Sequence, residues 1–452
     1  MPRKSNLLIA ASAAALATGA TATGATLELI GQGIGLTDLS ADGRVAVGNT
    51  IADNAYETWR WVDGDPNGWQ RLGRATVPVF GTGAGSPDVS YDGTRVSATI
   101  VGGESGESRS IFQTCGIWTL GGGWTEQFPP FPPDCVLVDT AYADAWGLSG
   151  DGHTVVGLYW RSTNGGANGA AKPYFKPADG ATVGLPTLNN DSGRVNCSSF
   201  DGTVVGGWER TPTGPWRAVA WRSGVKHLLT TFETGYSLQA EAINGDGSVI
   251  VGSTENIPAA RMNPARWDWN GTEYVPTDLG VLPGTPQTFI ARAWATSVTD
   301  DGSMIVGVNR FQNQGPLSIA TGFVWTQEDG IRDVVDVMAE HGVALPPGSM
   351  VVSLEVSADG STLGGIARNT LETAFLDYWS FVFRFTPLPS CDGDVNADGV
   401  VNALDFTVLA GNFGAGPGMA RAAGDVSGDG FVSAADFTIL AGSFGCADGL
   451  PD

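Results

Sequence analysis

The sequence predicts an all-β fold of many short strands followed by a small helical module, and three observations predict it. Glycine accounts for 65 of 452 residues, about twice the usual ~7%, with no Gly-x-y period that would mark collagen. Fifteen Trp and 19 Phe accompany it, too many core-forming aromatics for a disordered chain. An Asp-Gly pair also recurs at intervals near fifty residues, each time followed by a β-rich run, which is the pattern of strands joined by tight turns. Charge limits the partners: 47 Asp and Glu oppose 24 Lys and Arg, a formal charge of −23, which excludes a nucleic-acid partner. With only His153, His227 and His341 present, histidine catalysis and His-rich metal sites have little to draw on.

Residues 1–25 come first. Arg3 and Lys4 precede the apolar LLIAASAAALA, which ends in the small residues ATGATATGA. This is the order of a signal peptide, with cleavage expected after Ala22 or Ala25. Its removal takes two basic residues and no acid, so the mature charge is −25. No other apolar run reaches the ~18 residues of a membrane span, and the mature chain is expected outside the cytoplasm without a transmembrane segment. Export permits disulfides. Cys115 and Cys135 lie within one local unit, and Cys391 and Cys446 bracket the last module. The expected bonds are Cys115–Cys135 and Cys391–Cys446, leaving Cys197 as a buried thiol.

Residues 26–386 carry seven copies of one unit: an apolar residue, Ser or a similar residue, any residue, Asp-Gly, and then a β-prone run. The aspartates are Asp42, Asp92, Asp151, Asp201, Asp246, Asp301 and Asp359, spaced by 50, 59, 50, 45, 55 and 58. Asp-Gly between β-prone runs predicts a two-residue hairpin turn with both central residues at positive φ. Gly, or Ala98 once, stands six positions after each Asp, and an aromatic strand follows, around Trp61, Trp118, Phe175, Trp221, Trp267, Trp325 and Phe385. These aromatics are expected to pack between sheets, while Trp208, Trp216 and Trp294 fall outside the pattern and are candidates for an exposed binding rim. Four short strands in fifty residues make one blade of a β-propeller. The seventh aromatic strand runs into Pro387 and Pro389 without a fourth strand, whereas TLELIG at 26–31 precedes the first unit. Pairing the two completes a seventh blade and closes the ring, removing exposed sheet edges.

The pattern DLGVLPG…ATSVTDDGSMIVG…GFVWTQEDGIRDV at 278–335 resembles the HAF repeats of secreted bacterial proteins. That resemblance covers roughly 26–386 and implies a propeller-like fold without implying a reaction.

Beyond the linker at 387–390, GDVNADGVVNALDFTVLAGNFG at 393–414 recurs as GDVSGDGFVSAADFTILAGSFG at 424–445, with fifteen of 22 positions identical. Each copy opens with oxygen donors at alternate positions, Gly at the sixth and a carboxylate at the twelfth, the pattern that wraps calcium in hard oxygens. The expected ligands are Asp394, Asn396, Asp398, the Val400 carbonyl, Asn402 and Asp405 for one ion, and Asp425, Ser427, Asp429, the Phe431 carbonyl, Ser433 and Asp436 for a second. Helices should follow, with Phe406, Val408 and Leu409, then Phe437, Ile439 and Leu440, on one side. Loop then helix, twice, with no entering helix, is similar to a dockerin domain over 391–446, within a last domain set at 391–452, and the resemblance implies a cohesin-like or cell-surface docking partner. The loop positions ten and eleven, commonly hydroxyl-bearing in that family, are Ala403 and Leu404, then Ala434 and Ala435.

The sequence therefore describes a secreted binding or scaffolding protein: a seven-bladed propeller that recognises a glycan or protein, joined to a calcium-dependent docking module. The alternative is a glycan-active hydrolase or lyase carrying a dockerin. Glu104 with Glu107, or Glu233 with Glu241, are the acid pairs that can be nominated for it, but the repeat leaves no pair of acids unexplained, and no nucleophile motif or His-Glu metal spacing accompanies them. A set of carboxylates and aromatics gathered at the channel mouth would favour that alternative.

Overall fold

The computed structural model describes residues 24–52, 55–73, 85–102, 112–128, 132–136, 138, 142–163, 166–212, 215–232, 235–256, 261–288, 291–311, 319–369, 378–385, 393–396, 400–427 and 430–444. Residues 1–23 of the expected signal segment, the linker, Cys391, Cys446, Asp398, Asp429, Glu104, Glu107 and Glu233 lie outside them. Among the described residues no helix is long and apolar enough to cross a membrane.

The strands form a β-propeller-like series of small antiparallel sheets. Five sheets have four strands, as in Gly35–Leu39, Val45–Ala52, Ala55–Val62 and Gln70–Arg71. A sixth has eight, two four-stranded ladders joined by the single parallel pair Met262–Arg292. As the sequence expects, Thr26–Gln32 pairs antiparallel with Tyr378–Arg384, setting Leu27 opposite Phe383. The first strands of successive sheets touch in order, and the last, Ser349–Val356, touches Gly35–Leu39.

The repeated turn differs from the expected one. In all seven copies only the glycine takes positive φ, from +68° at Gly43 to +75° at Gly360. The glycine N–H donates to the carbonyl of the residue three before it, as in Gly43 to Ser40 (2.9 Å) and Gly302 to Thr299 (2.9 Å). This is a four-residue turn of type I ending in a left-handed glycine. The Asp is spared positive φ because its carboxylate has another task. Asp42 Oδ1 accepts from the Arg44 amide at 3.0 Å and from the Ser40 hydroxyl at 2.8 Å. Ser40 Oγ accepts from Val45 N at 2.9 Å. The Ser-x-Asp-Gly pattern is thus a side-chain latch, repeated with Asn244 or Thr299 in place of serine at two turns.

The latched turns also bind one another around a closed circuit. Ala41 N donates to Tyr91 O, Tyr91 N to Gly150 O, Asp151 N to Phe200 O, and Phe200 N to Gly245 O. Gly245 N donates to the Asp300 carboxylate, Asp300 N to Ala358 O, and Asp359 N to Ala41 O. Arginines of the aromatic strands add a second link. Arg60, Arg222, Arg266 and Arg384 donate to the carbonyls of Gly93, Gly247, Gly302 and Gly43 in the next turn round. Arg384 joins the last sheet to the first, with Asp63 at 3.2 Å and its guanidinium over Trp61.

Trp221 and Trp267 are fully buried between sheets, their indole N–H groups donating to Pro186 O and Thr230 O of the neighbouring segment. The expectation that these aromatics are core holds. The glycine six after the Asp is needed because the first strand bulges against it: a Cβ on Gly157 would lie 2.0 Å from Asp144 O.

Helix α1 (Val334–Glu340) was not expected. Asp333 caps it, and Val334, Val337 and Met338 bury into the core beside Leu354 and Phe381. The signal was legible as apolar residues at helical spacing after an Asp. The bond expected between Cys115 and Cys135 is absent. Both stand as thiols in one cluster, Cys115 Sγ held 2.8 Å from the Tyr174 hydroxyl and Cys135 Sγ 3.7 Å from Tyr142 O. Cys197 is a buried thiol.

In residues 393–444, α2 (Ala403–Gly411) and α3 (Ala434–Gly442) follow the two loops. Val395, Val401, Leu409, Val432 and Leu440 form their shared core. The expected one-sided stripe splits: Leu409 and Leu440 are buried, but Phe406 and Phe437 are exposed and meet edge to face at 6.1 Å.

Candidate functional site

Two places gather functional groups. The first is a cavity of about 290 Å³ on the axis of the ring, bounded by Asp38, Asp88, Trp146, Asn196, Glu241 and Glu355 among others. Bulges bring side chains inward: the register of the first strands shifts between Leu36 and Asp38, Ala145 and Gly147, Val195 and Cys197, and Ala240 and Ala242. Such bulges re-aim residues that a regular strand would turn away.

Asp38 and Asp88 face each other across the cavity wall, and each raises or holds the other's carboxyl through their coupling. Burial, then Asp88, pushes Asp38 well up, and burial also raises Asp88. Burial lifts Glu241 to about 7 against the pull of Arg194, and raises Glu355 well above the usual carboxylate range, with Asp88 and Glu241 adding to it. Arg194 Nε donates to Asn196 Oδ1 at 2.6 Å, its guanidinium lies 3.5 Å from the Trp146 ring centre, and burial pulls its pKa down to about 10.

Two of the acids also hold the ring together. Asp38 Oδ2 accepts from Val89 N at 2.8 Å, and Asp88 Oδ2 from Leu148 N at 2.7 Å, each reaching the next first strand. Tyr91 closes the turn end of the cavity: its hydroxyl donates across the ring to Asp300 Oδ1 at 2.9 Å, and its ring meets Phe200 edge-on. A Cβ on Gly150 would come within 2.8 Å of Tyr91 and 2.7 Å of Phe200, so glycine there makes room for the plug. Of the four nominated glutamates, Glu241 enters the cavity. Sequence reasoning missed Asp38, Asp88 and Glu355, whose signal was a carboxylate two residues before the latch serine in three of the seven units. Of the irregular tryptophans, Trp294 borders the cavity, Trp208 is buried, and Trp216 is exposed.

The second place is the pair of loops in 393–444. Asn402 and Ser433 cap α2 and α3 in reciprocal boxes with Asp405 and Asp436. Asp405 Oδ1 accepts from Val395 N (2.8 Å) and Asn396 N (3.1 Å), while Asp436 Oδ1 accepts from Ser427 N (2.8 Å). Asp425 Oδ2 accepts from Gly430 N at 2.8 Å, with Gly430 at φ +86°, so the first carboxylate is folded inward by the glycine turn. Asp405 and Asp436 are fully buried and Asp425 nearly so. A buried, all-oxygen donor set suits a hard divalent cation and no soft metal. The third carboxylate of each loop, Asp398 or Asp429, lies outside the described residues, and among those described no three acidic, His or Cys side chains gather to hold a metal.

Residues 392–444 match the dockerin type I domain. No curated protein matches the chain. Among solved structures the chain is similar to the β-propeller domain of the Trilobed protease from Pyrococcus furiosus, at 11% identity and TM-score 0.47, over 78% of this chain and 96% of that one. It is similar to an oligogalacturonate lyase in complex with manganese, at 13% identity and TM-score 0.49, over 81% and 94%. It is also similar to a putative TolB from Agrobacterium tumefaciens, at 14% identity and TM-score 0.38, over 71% and 94%. The chain carries a dockerin type I domain at 392–444, beside sheets of β-propeller-like form.

Proposed function

We propose that this is an exported docking protein: a signal peptide at 1–25, a seven-bladed propeller of HAF-type repeats at 26–386 that presents a binding face, a linker at 387–390, and a calcium-loaded dockerin domain at 391–452 that attaches it to a cohesin-like partner outside the cell. The observation that carries it is the match of 392–444 to the dockerin type I domain on two loops whose closing carboxylates are fully buried. Asp394, Asn396, Asp398, Val400 O, Asn402 and Asp405 would hold one calcium, and Asp425, Ser427, Asp429, Phe431 O, Ser433 and Asp436 the other. The ion would neutralise carboxylates that otherwise repel within a module of nine Asp and one Arg. Ser443 Oγ accepts from Gly393 N at 3.0 Å, which draws the two ends of the module together and supports a Cys391–Cys446 bond beside them.

Calorimetric titration of the chelated protein with calcium tests this, with two sites expected and one lost in each of Asp405→Ala and Asp436→Ala. Capture by immobilised cohesins should require calcium. Absence of calcium binding, or capture indifferent to EDTA, would overturn it.

A second reading is favoured by one observation, the carboxyl cluster of the central cavity with Trp146 and Trp294 beside it: the propeller is a glycan-active hydrolase or lyase working with paired acids. Release of reducing ends or unsaturated products from polysaccharides, lost in Glu241→Gln, would establish it over simple binding.

A further inference from the structure

We infer that the propeller binds a neutral carbohydrate chain in a groove beside the axial cavity, with Trp216 as the platform for a sugar ring. This gives a ligand class to the recognition half of the function proposed above and rests on that half alone. The groove has a volume of about 430 Å³ and is lined by Trp216, Gln239, Ser253, Glu255, Met262 and Arg292, with Leu238 beneath. That volume is in the ~300–1,000 Å³ range of small-molecule sites.

Trp216 is 43% exposed, yet it is held firmly. It stacks on Trp208 at 4.3 Å and 10°, and Trp208 is in turn buried beside the Arg194 guanidinium, which lies over Trp146. A stack of four groups thus runs from the cavity wall to the surface and fixes the outer ring in place. A half-exposed indole backed by a stacked ring is suited to a flat apolar face, which a pyranose supplies through its C–H groups.

Beside the indole stand polar groups without partners. Ser253 is fully buried, and neither its Oγ nor Gln239 Oε1 has a hydrogen-bond partner. A ligand rich in hydroxyls suits a groove walled by polar residues of this kind, since each hydroxyl donates and accepts. The lining holds one carboxylate, Glu255, and one guanidinium, Arg292. One charge of each sign favours neither a cation nor an anion, and it suits a neutral polyol whose hydroxyls donate to the first and accept from the second.

The test is calorimetry and tryptophan emission on the full-length protein with cellohexaose, xylohexaose, mannohexaose and chitohexaose. At least one should bind. Trp216→Ala should raise its Kd at least tenfold and Gln239→Leu about threefold to tenfold, with melting temperatures checked against the parent. Binding by none of the four, or equal binding by Trp216→Ala, overturns the inference. A proline- and arginine-containing decapeptide binding there instead would make this a peptide groove and overturn it equally. EDTA separates the two proposals: saccharide binding should persist without calcium, and cohesin capture should persist in Trp216→Ala.

Discussion

In the sheets, each aspartate of an Asp-Gly turn finds its partners within two residues, whereas in residues 393–444 Asp405 and Asp436 also accept from amides nine residues back along the chain. Asp42 accepts from Ser40 and the Arg44 amide, with its side chain about half exposed. Asp405 and Asp436 are fully buried, each shared between two ends of a loop nine residues apart. One residue type therefore serves two ends. An exposed acid screened by water completes a turn by itself, while a buried one carries a desolvation cost that its amide donors and, in the function proposed above, a cation offset. The comparison teaches that the excess of Asp has two stabilities attached to it, one local to each turn and expected to be indifferent to calcium, the other shared between the ends of a loop and expected to depend on it.

Chelation is the widest break between the regions. Scanning calorimetry of the intact protein should show two transitions. Saturating calcium at about a thousandfold over Kd should stabilise the lower one by about 4 kcal/mol per site, and EDTA should leave the upper one in place. A single transition that moves as a whole with calcium would join the regions and remove the contrast.

The acids on the axis come next and reverse the ordinary dependence on pH. Glu241 is raised to about 7 by burial, and Asp38, Asp88 and Glu355 are raised as well. A carboxyl with its folded pKa above the unfolded value binds protons more tightly when folded, so its stabilising effect is present at acid pH and is lost as pH rises. The upper transition should weaken as pH climbs from about 4.5 to about 7, by on the order of 2 kcal/mol for Glu241. Glu241→Gln should flatten that slope in urea unfolding, and an unchanged slope would place the titration elsewhere.

These acids mark where the sequence stops being legible. The turn latch is written in five consecutive residues, so its seven copies announce the sheets, and the loop ligands stand at fixed offsets for the same reason. Local chemistry of this kind survives in a string of letters. Glu241 enters the cavity at a bulge, and Asp38, Asp88 and Glu355 join it because a closed circuit brings residues 38 and 355 to one axis, and neither fact is local. The turn type was misjudged for a related reason: the serine two residues before the Asp donates its hydroxyl to the Asp carboxylate and accepts from the amide five residues on, which latches a turn whose Asp keeps negative φ. The groove at Trp216 was legible only as an aromatic out of phase with the repeat.

Closure of the ring is the next contrast. Arg266 and Arg384 make the same bond to a turn glycine, but Arg266 joins neighbours in sequence while Arg384 joins the last sheet to the first, 341 residues away. Loss of a charged hydrogen bond costs about 2 kcal/mol at either site. Arg384→Ala should in addition speed hydrogen exchange in Thr26–Gln32 and Tyr378–Arg384, where the circuit is joined, whereas Arg266→Ala should not. Equal exchange patterns in the two variants would show that the joint is no weaker than any other.

The smallest effect concerns the turns themselves, and it tests whether they are self-contained. Asp301 is lowered by the hydroxyl and amide of Ser303 and by Thr299, and Asp92, Asp201 and Asp246 are also lowered, their burial outweighed by hydrogen bonds from neighbouring hydroxyls and amides. Such acids stabilise above the unfolded pKa near ~3.9 and lose that contribution as pH falls through the lower folded value. Stability should therefore drop a second time below about pH 4, opposite in sense to the axial acids. Asp301→Ala should cost about 1 kcal/mol at neutral pH and make the acid-side drop shallower, with calcium affinity unaltered. A loss near 1 kcal/mol with an undiminished acid drop would mean that the carboxylate's charge is idle and only its hydrogen-bonding shape supports the turn.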